Sequence, residues 1–465
     1  MQESQSPAQL ESIRHSFAHL LAMAVLKKFP KAKLGIGPVI ERGFYYDFKL
    51  PEPPTEEDLP TLEVTMRELI AAKLDFHGEQ ITPQKARALF KEQPFKLELI
   101  KEFAKEKKLL TAYTTCPPDS KLKIPNSHCF VDLCRGGHVK NTSEINPESF
   151  ALTHIAGAYW RGNEKNSQLT RIYGLAFGTP EELQKHLAFL EEAKKRDHKK
   201  LGIELDLFTF SDSVGKGLPL WTPKGSVIRR QLERFIVDEE IKRGYLHVYT
   251  PDIAKLDLYI KSGHYPHYKD SMYAPIDIDG EKFMLRPMTC PHHFELYLRT
   301  KHSYRELPMR IAELAQLYRY EQSGELSGLQ RVRTFCLADA HIICTSPEQA
   351  MEEISGALDL IEHIARVFGL IMGKEYWYRL SLGNRKDKKK YFKNDAAWDK
   401  GESMLRQLLV RRKCIFIEAP DEAAFYGPKV DIQMRNVNGK EDTAFTVQYD
   451  FCMPDRFDLS YIDQD

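Results

Sequence analysis

The sequence lacks several features that would place it in a familiar class at once. No apolar run reaches the roughly 18 residues of a membrane-spanning helix, and no charged-then-apolar leader follows Met1. The 67 Lys and Arg residues balance 66 Asp and Glu residues, which leaves a net charge of +1. Local basic patches, and not the field of the whole chain, would therefore have to meet any nucleic acid. We expect a soluble cytoplasmic protein that is not exported.

Disulfide scaffolds and the common nucleotide-binding loops are also missing. The eight cysteines are scattered and form no C-x-x-C pair, which fits a reduced cytosolic protein better than a disulfide scaffold. There is no G-x-x-x-x-G-K-[ST], and neither Gly35-x-Gly37 nor Gly215-x-Gly217 completes a G-x-G-x-x-G. A bound nucleotide would have to be held by side chains.

What is present suggests more than one domain, because 465 residues are too many for a single core. A first block, 1–178, opens with a helix, Leu10–Phe29, in which His15 and His19 lie four residues apart on one face. A helical excursion is predicted from Pro51 to about Lys108. The block closes with short strands around Phe130–Leu133 and Leu169–Ala176.

The segment 179–204 is predicted to be a linker helix. Thr179 is placed as its N-cap, Pro180 as its first residue, and Glu182 completes a capping box. A narrow stripe of leucines follows, and Gly202 is predicted to stop the helix. The charge run EEAKKRDHKK supports a solvated helix between domains.

The remaining block, 205–465, mixes amphipathic helices with separate strands. The helices are predicted at Gly225–Arg243 and Pro347–Phe368, and strands at Phe283–Pro287, Lys429–Arg435 and Thr443–Phe451. Strands that do not alternate regularly with helices indicate an antiparallel α+β sheet and not a doubly wound one.

A hairpin in this block carries an unusual set of side chains. Its strands are predicted at Leu317–Glu321 and Arg331–Cys344, joined by a loop with Gly324 and Gly328. Side chains alternate between the two faces of a strand. Arg319 and Glu321 therefore share one face of the first strand, and a set on the second strand shares one face as well: Arg331, Arg333, Leu337, Asp339 and His341. If the strands pair, these side chains converge on one patch. This patch suits a polyphosphate and a small polar ligand, although an exposed hairpin face often carries charge without binding anything.

The hairpin string RIAELAQLYRYEQSGELSGLQRVRTFCLADAH resembles motif 2 of the class II aminoacyl-tRNA synthetases, in the threonyl form. GLPLWTPKGSVIRRQLERFIVDEEIKRGYLHVYTP resembles motif 1, the dimer interface of that family. The resemblance implies a class II antiparallel-sheet catalytic domain in a homodimer, and attachment of threonine to tRNA(Thr) through threonyl-adenylate. The resemblance implies a catalytic role for Arg319 at the ATP α-phosphate. It also implies that Glu321 binds the adenine amine, that Arg331 binds the γ-phosphate, and that Mg²⁺ accompanies ATP.

The resemblance also implies a zinc site that reads threonine. Cys290 in LRPMTCPHHFE and His341 in FCLADAHIIC match two of the family's three zinc ligands, one zinc per catalytic site. Asp339 matches a contact to the threonine hydroxyl, and His264 a residue near the terminal ribose of the tRNA, suited to proton transfer. The other residues matched to the threonine pocket are Tyr426, Lys429 and Gln448. Without the resemblance, Cys290 and His341 would be read as a core cysteine and a surface histidine.

The first block resembles the α+β editing domain shared by threonyl- and alanyl-tRNA synthetases. RHSFAHLLAMAV supplies His15 and His19, and FVDLCRGGHVKNT supplies Cys134 and His138. The resemblance implies hydrolysis of serine attached to the threonine tRNA. Such hydrolysis is needed because serine lacks only one methyl group of threonine, and that difference allows a binding site to discriminate by only about 1–3 kcal/mol. These four side chains suit either a zinc ion or a positioned water, and we favour the water. Two surface histidines on an amphipathic helix are the plainer alternative.

The sequence also departs from the family pattern. FCLADAH stands where FTQDDAH is usual, so that Leu337 and Ala338 replace polar groups near the substrate. The sequence stops at Asp465, before the expected motif 3 with its third zinc ligand and before an anticodon-binding domain. We therefore expect an incomplete form of a threonine–tRNA ligase with an editing domain. The alternatives are a stand-alone Ser-tRNA deacylase and a non-catalytic protein that binds tRNA or an amino acid through a degenerate synthetase half.

Overall fold

The computed structural model describes residues 6–52, 54–118, 129–163 and 165–464. The chain divides into two compact units, Met1–Glu191 and Glu192–Asp465. Both units contain helices and mostly antiparallel sheets, as the α+β prediction requires. No helix in the described ranges is long and apolar enough to cross a membrane. The division falls inside the segment 179–204, whose role as a linker stays a prediction.

The first unit is built from five helices and eight strands in the described ranges. In chain order they are α1 Pro7–Lys28, β1 Lys33–Leu34, β2 Val39–Ile40, β3 Gly43–Lys49, α2 Leu59–Ala71, β4 Asp75–Ile81, α3 Pro83–Leu89, α4 Pro94–Lys105, β5 Leu110–Cys116, β6 Phe130–Leu133, β7 Phe150–Tyr159, β8 Gln168–Ala176 and α5 Pro180–Arg196.

The core of the first unit lies between α1, α2 and an antiparallel sheet of order β1-β3-β8-β7, with β2 on β3. α1 begins with the Ser6 side chain accepting a hydrogen bond from the Gln9 amide, and Pro7 suits its first position. Its buried face presents Phe17, Leu20 and Leu21 to this core. Packing of these side chains in the core fixes the position of α1, and with it the positions of His15 and His19 on the same helix.

The predicted helical excursion from Pro51 to Lys108 is wrong in its middle, where β4 interrupts it. β4 pairs with β5 over its whole length, from Asp75 opposite Cys116 to Ile81 opposite Leu110. Main-chain hydrogen bonds to a strand far away in sequence decide this structure, and local propensity does not report them. β4, β5 and β6 form a second antiparallel sheet.

The structure joins Cys116 and Cys129 in a disulfide, which departs from the expectation of an all-reduced chain. The two residues extend the β5–β6 pairing by one position beyond Thr115 opposite Phe130. Sequence spacing could not show this pairing, because only the register of the two strands brings the residues opposite each other.

The second unit contributes the remaining elements. In chain order they are α6 His198–Glu204, β9 Phe208–Thr209, β10 Leu220–Trp221, α7 Pro223–Lys242, β11 Leu246–His247, β12 Ile253–Lys255, α8 Leu256–Ser262, α9 His264–His267, β13 Ile276–Ile278, β14 Glu281–Leu285, α10 Cys290–Leu298, β15 Met309–Tyr318, β16 Thr334–Ile343, α11 Pro347–Val367, β17 Tyr376–Leu382, α12 Asp395–Arg411, β18 Phe416–Pro420, β19 Lys429–Arg435, β20 Glu441–Gln448 and α13 Met453–Phe457.

Two sheets position the functional side chains of the second unit. One has the order β11-β15-β16 and the other β18-β17-β19-β20. The pairs β15–β16, β17–β19 and β19–β20 are antiparallel, while β11–β15 and β17–β18 are parallel. α11 and α12 cover the second sheet with an apolar core that includes Leu358, Leu405 and Tyr378.

The predicted hairpin is present as β15 and β16, but its first strand is placed differently. β15 begins at Met309 and ends at Tyr318, which pairs with Thr334. Arg319, Glu321 and Arg331 therefore lie in the connecting loop and not on strand faces, contrary to the prediction. The first strand ends early because a distant segment takes over its hydrogen bonding: the Tyr320 amide donates to the Ser271 carbonyl and not across the hairpin. Asp339 and His341 do share one face of β16, as predicted.

Gly202 does not stop the helix after Thr179. That helix, α5, ends at Arg196, and Asp197 starts α6 by accepting a hydrogen bond from the Lys199 amide. Gly202 is buried inside α6, where a Cβ would lie 2.3 Å from the Phe208 ring. Close packing, and not a turn, requires glycine here.

Candidate functional site

A compact group of nitrogen and sulfur atoms lies in the first unit. It consists of His15, His19, Cys134 and His138, here called the His/Cys cluster, and the ligand-type atoms of all four lie within 4.8 Å of one another. The Cys134 Sγ is 3.3 Å from His15 Nε2 and 3.2 Å from His138 Nε2. The structure therefore brings together all four residues that the sequence placed in an editing site.

Two elements build the His/Cys cluster. α1 presents His15 and His19 one turn apart, and the loop after β6 carries Cys134 and His138. Gly136 and Gly137 in that loop adopt φ values of 93° and 87°, which side chains rarely tolerate. The Gly136 amide donates to the Cys134 Sγ at 3.3 Å. The turn thus points the thiol back toward α1.

Burial keeps the His/Cys cluster uncharged. It lowers the pKa of His15, His19 and His138, and the mutual repulsion of His19 with His15 and of His138 with both adds to the effect. It also raises the pKa of the Cys134 thiol to about 11. At neutral pH the cluster is a thiol among neutral imidazoles, which can donate to and accept from a water molecule.

Behind the cluster lies a buried polar network that the sequence analysis missed. Asp132 on β6 accepts hydrogen bonds from the Tyr46 hydroxyl at 2.6 Å and pairs with the Lys96 ammonium at 2.5 Å. The Asp132 carboxylate is also 3.6 Å from His19 Nε2. All four residues are buried. One signal was available: Asp132 is an acidic residue inside the apolar strand FVDL.

The His/Cys cluster also fits a metal ion by its donor chemistry. Three imidazoles and one sulfur are ligands that zinc accepts. Nδ1 of His19 is buried and has no hydrogen-bond partner within the described ranges, so a further ligand or water is needed to satisfy it. The geometry alone admits either occupant.

The second unit contains a cavity of about 1460 Å³, here called the central cavity. Its lining includes residues from β16, from β20 and the turn that follows it, and from α7, α10 and α11. The sequence-predicted residues that line it are His264, Cys290, Arg319, Asp339, His341, Tyr426 and Gln448. Leu337 lines it too, and stands 40% exposed on β16.

Hydrogen bonds arrange the polar wall of the central cavity. The Thr289 hydroxyl donates to the Asp339 carboxylate, and the Tyr426 hydroxyl donates to the Gln448 side-chain oxygen. Arg319 Nε donates to the Pro287 carbonyl at 3.2 Å, and its guanidinium lies 5.1 Å from the Phe335 ring centre. Arg319 is thus held from two sides while its remaining N–H groups stay available.

Three predicted residues lie outside the cavity lining. In the hairpin loop, Arg331 approaches the carboxylates of Glu321 and Glu325 at 3.9 and 3.8 Å. Lys429 Nζ is 3.0 Å from the buried Asp431 carboxylate. The roles suggested for Glu321, Arg331 and Lys429 stay predictions, because no contact with a substrate is described.

Burial also sets the protonation of the titratable groups in this cavity. It lowers the pKa of His264 to about 3, with Arg456 adding to the effect, and Nδ1 of His264 lies 2.8 Å from the Ser262 hydroxyl. Burial lowers the pKa of His341 to about 4 and raises that of the Asp450 carboxyl to about 6. It raises the pKa of the Cys290 thiol too, assisted by the charges of Asp339 and Asp450. Neutral imidazoles are therefore available as ligands or proton acceptors.

Cys290 and His341 fit zinc in the chemistry of their donor atoms, one sulfur and one imidazole. Both line the central cavity, and Nε2 of His341 has no hydrogen-bond partner in the described part of the chain. In the same ranges they do not belong to a group of three or more potential ligands. By their chemistry alone, the two side chains would supply two of the ligands of a zinc ion.

The mainly antiparallel sheets of the second unit, with an arginine at the end of a hairpin, agree with a class II synthetase core. Residues 273–465 match the family model of the tRNA synthetase class II core domain (G, H, P, S and T). Residues 122–173 match that of the threonyl and alanyl tRNA synthetase second additional domain.

Curated relatives are more specific. A threonine–tRNA ligase from Anoxybacillus flavithermus is 48% identical over 461 residues, covering 99% of this chain and 69% of the relative. One from Streptococcus gordonii is 48% identical over 458 residues, covering 98% of the chain and 68% of the relative. The chain belongs to the threonyl-tRNA synthetase family.

Solved structures agree with this assignment. The RNA-binding domain of threonyl-tRNA synthetase from Cryptosporidium parvum superposes with a TM-score of 0.53 at 36% identity, covering 58% of this chain and 64% of that one. ThrRS-1 from Aeropyrum pernix, a putative threonyl-tRNA synthetase by its description, gives 0.52 at 32% identity, with coverages of 56% and 61%.

Proposed function

We propose that this protein attaches threonine to tRNA(Thr) at the expense of ATP, through threonyl-adenylate, and hydrolyses serine mistakenly attached to that tRNA. The observation that carries the proposal is the central cavity, which gathers seven sequence-predicted residues from separate elements. The His/Cys cluster carries the hydrolytic half. We also propose that the protein works in the cytoplasm, where tRNA is charged.

In the synthetic site, Arg319 is the group that stabilises charge. The threonine carboxylate attacks the α-phosphate, and pyrophosphate leaves with Mg²⁺. Arg319 would neutralise the charge that develops there, since its position is already held by the Pro287 carbonyl and the Phe335 ring. Glu321 and Arg331, close to each other in the hairpin loop, would hold the adenine amine and the γ-phosphate.

Threonine recognition is proposed for Asp339, Tyr426, Lys429 and Gln448. Asp339 is held by Thr289, and Tyr426 by Gln448, so that both present fixed polar atoms to a small ligand. A zinc ion held by Cys290 and His341 would supply a Lewis acid that requires both an amine and a hydroxyl on the amino acid. Valine lacks the hydroxyl and would leave these groups unsatisfied.

His264 is proposed to accept a proton during transfer of threonine to the tRNA ribose. It is neutral at physiological pH because burial lowers its pKa to about 3. Its Nδ1 is engaged by the Ser262 hydroxyl at 2.8 Å, which leaves Nε2 toward the cavity.

For editing, we propose that the His/Cys cluster positions a water molecule. Cys134 has a pKa of about 11, so it is a thiol and a poor nucleophile at neutral pH. Neutral imidazoles from His15, His19 and His138 can hold and orient water for attack on the ester bond. A Cys134→Ser variant should lose Ser-tRNA hydrolysis while the bound zinc per chain stays unchanged. A matching loss of zinc would instead identify a metal-dependent hydrolase.

We also propose that the protein is a homodimer through α7, the helix that resembles motif 1. Val227, Ile228 and Leu232 on α7 are exposed apolar residues, which is costly for a monomer. A Val227→Glu variant, at a position outside the lining of the central cavity, should shift the mass measured by light scattering from dimer to monomer. A monomeric parent chain would reject this proposal. The division into an editing block (1–178), a linker (179–204) and a synthetase block (205–465) is retained as part of the same proposal.

The decisive experiment is ATP–pyrophosphate exchange with threonine, serine and valine, with Ser-tRNA hydrolysis measured in parallel. We expect exchange with threonine, weaker exchange with serine and none with valine. Asp339→Asn should reduce threonine-dependent exchange, while Glu281→Gln, in an exposed ion pair with Lys255, should not. Hydrolysis without any exchange would contradict the synthetic half of the proposal and leave two interpretations, a stand-alone deacylase or an incomplete form of the ligase.

A further inference from the structure

We propose that His293 is a positioning residue that fixes the tautomer and orientation of His341, and that it is itself held by Glu313 and Arg286. These four residues, here called the His293 relay, run from the wall of the central cavity into the core. The inference rests on the zinc site of the proposed function but concerns residues to which that proposal gives no role.

The relay is a continuous chain of short contacts. His341 Nδ1 is 2.9 Å from His293 Nδ1, and His293 Nε2 is 3.2 Å from Glu313 Oε2. Glu313 Oε1 accepts from Arg286 Nη1 at 2.9 Å. His293, Glu313 and Arg286 are each no more than 2% exposed. A connected polar chain in the core is costly unless every member is satisfied, so its geometry is sharply defined.

The secondary structure brings these side chains to one place. Cys290 and His293 lie three residues apart on α10 and so share one face of that helix. Glu313 on β15 and His341 on β16 are diagonal neighbours, because Ile311 pairs with His341 and Glu313 with Asp339. One helix therefore supplies both a proposed zinc ligand and the side chain that contacts the other ligand.

The proton positions follow from counting donors and acceptors. Glu313 only accepts, and its two oxygens already receive Arg286, the Thr250 amide at 3.2 Å and the Thr250 hydroxyl at 2.7 Å. The Nε2 of His293 must therefore carry a hydrogen to face Glu313. An imidazole that carries its one hydrogen on Nε2 presents Nδ1 as an acceptor, so Nδ1 of His341 is the donor in this contact.

The consequence lies at the cavity. With its proton on Nδ1, His341 has a free lone pair on Nε2, the nitrogen with no hydrogen-bond partner in the described ranges. A metal ligand needs that lone pair, and its direction is set by the bond that the other ring nitrogen makes. Arg286 stabilises the far end, since it also donates to the Thr250 and Gln316 carbonyls and pairs with Asp252.

Two near-isosteric variants separate a tautomer-fixing role from simple core packing. In His293→Asn the amide oxygen occupies the position of Nδ1 and can still accept from His341, but contact with Glu313 is lost. In His293→Gln the amide nitrogen occupies the position of Nε2 and can still donate to Glu313, but nothing accepts from His341. If the relay positions His341, the Asn variant keeps more zinc affinity than the Gln variant.

The test titrates Zn²⁺ into the metal-free full chain against a chromogenic chelator, in a Cys134→Ser background so that the His/Cys cluster does not contribute a thiol. We expect His293→Gln to bind zinc about 10–100-fold more weakly than the parent, and His293→Asn to recover most of that loss. Equal affinity of parent and Gln variant, or a Gln variant better than the Asn variant, would overturn the proposal. Thermal melts of each variant check that it folds.

A second readout keeps the two proposals distinguishable. Long-range ¹H–¹⁵N spectra of the metal-free chain report which ring nitrogen of His341 carries the proton, with His341→Asn used to assign the signal. We expect the proton on Nδ1 in the parent and a shift to Nε2 in His293→Gln. If Cys290→Ser and His341→Asn leave the zinc content unchanged, the proposed zinc site is wrong. The position of the proton on His341 in the parent chain then still tests the proposed role of His293. A proton on Nε2 in the parent overturns the relay itself.

Discussion

Removing the charge of Asp132 should destabilise the first unit and abolish editing. Asp132 and Lys96 are 2% and 1% exposed and form a buried ion pair. In Asp132→Asn the shape is kept, but the Lys96 ammonium loses its charged partner and is left with neutral acceptors such as the Tyr46 hydroxyl at 3.2 Å. Leaving one member of a buried pair without its partner costs about 3–5 kcal/mol.

Hydrogen exchange of peptides from α1, β5 and β6 in the full chain measures this loss without requiring the two units to unfold together. Each ~1.4 kcal/mol is a factor of ten in an equilibrium constant. Protection should therefore fall by about a hundredfold to a few thousandfold. Ser-tRNA hydrolysis should be lost, because Asp132 lies 3.6 Å from His19, while threonine-dependent exchange in the second unit should remain.

Two controls make the result interpretable. Glu68→Gln breaks the exposed Lys27–Glu68 pair and should cost less than about 1 kcal/mol. The double variant Lys96→Met/Asp132→Leu removes both buried charges and should recover much of the stability lost by Asp132→Asn. The reasoning is refuted if Asp132→Asn costs no more stability than Glu68→Gln, or if the double variant is less stable than Asp132→Asn.

Three further predictions concern other parts of the molecule. The first unit should lose stability as the pH falls below about 6.5, because burial holds the folded pKa of three imidazoles below the unfolded value. Each imidazole should lower the free energy of unfolding by about 1.4 kcal/mol per pH unit. Thermal melts at several pH values should show a weaker pH dependence for His138→Asn than for the parent. Arg319→Lys keeps the charge but not the planar fork, so pyrophosphate exchange should fall about 10²–10³-fold in kcat, and unchanged exchange would reject its role. Alkylation of the unreduced, denatured chain should label six thiols. Reduction should release Cys116 and Cys129 and lower the free energy of unfolding by about 2–3 kcal/mol. Eight labelled thiols before reduction would contradict the disulfide.

Much of the fold followed from short-range rules that act within a few residues. Helix α1 was predicted at Leu10–Phe29 and lies at Pro7–Lys28, and β19 was placed at Lys429–Arg435 as the structure has it. The hairpin was recognised as well, although its first strand ends at Tyr318 and not at Glu321. Boundaries moved because hydrogen bonds to other segments, such as that from the Tyr320 amide to Ser271, decide where a strand stops.

The candidate sites show the same division. The spacing of His15 and His19 on one helix face was readable, and the match of Cys134 and His138 to an editing motif came from a resemblance. Asp132 and Lys96 were not singled out, because the acidic residue within FVDL is a weak signal as long as its buried partner, distant in sequence, is unknown. The same holds for His293 and Glu313, which are 20 residues apart in sequence and 3.2 Å apart in the structure.

The sequence by itself determined the residue types available for chemistry, the main helices, the α+β class and, through its motifs and relatives, the threonyl-tRNA synthetase family. Tertiary structure alone decided that β4 is a strand, that Cys116 meets Cys129, and that His293 stands between His341 and Glu313. Helix signals act over three or four residues, whereas strand pairing and buried polar contacts join residues distant in the chain. Those contacts are favourable only after the core has closed around them, so no local pattern announces them.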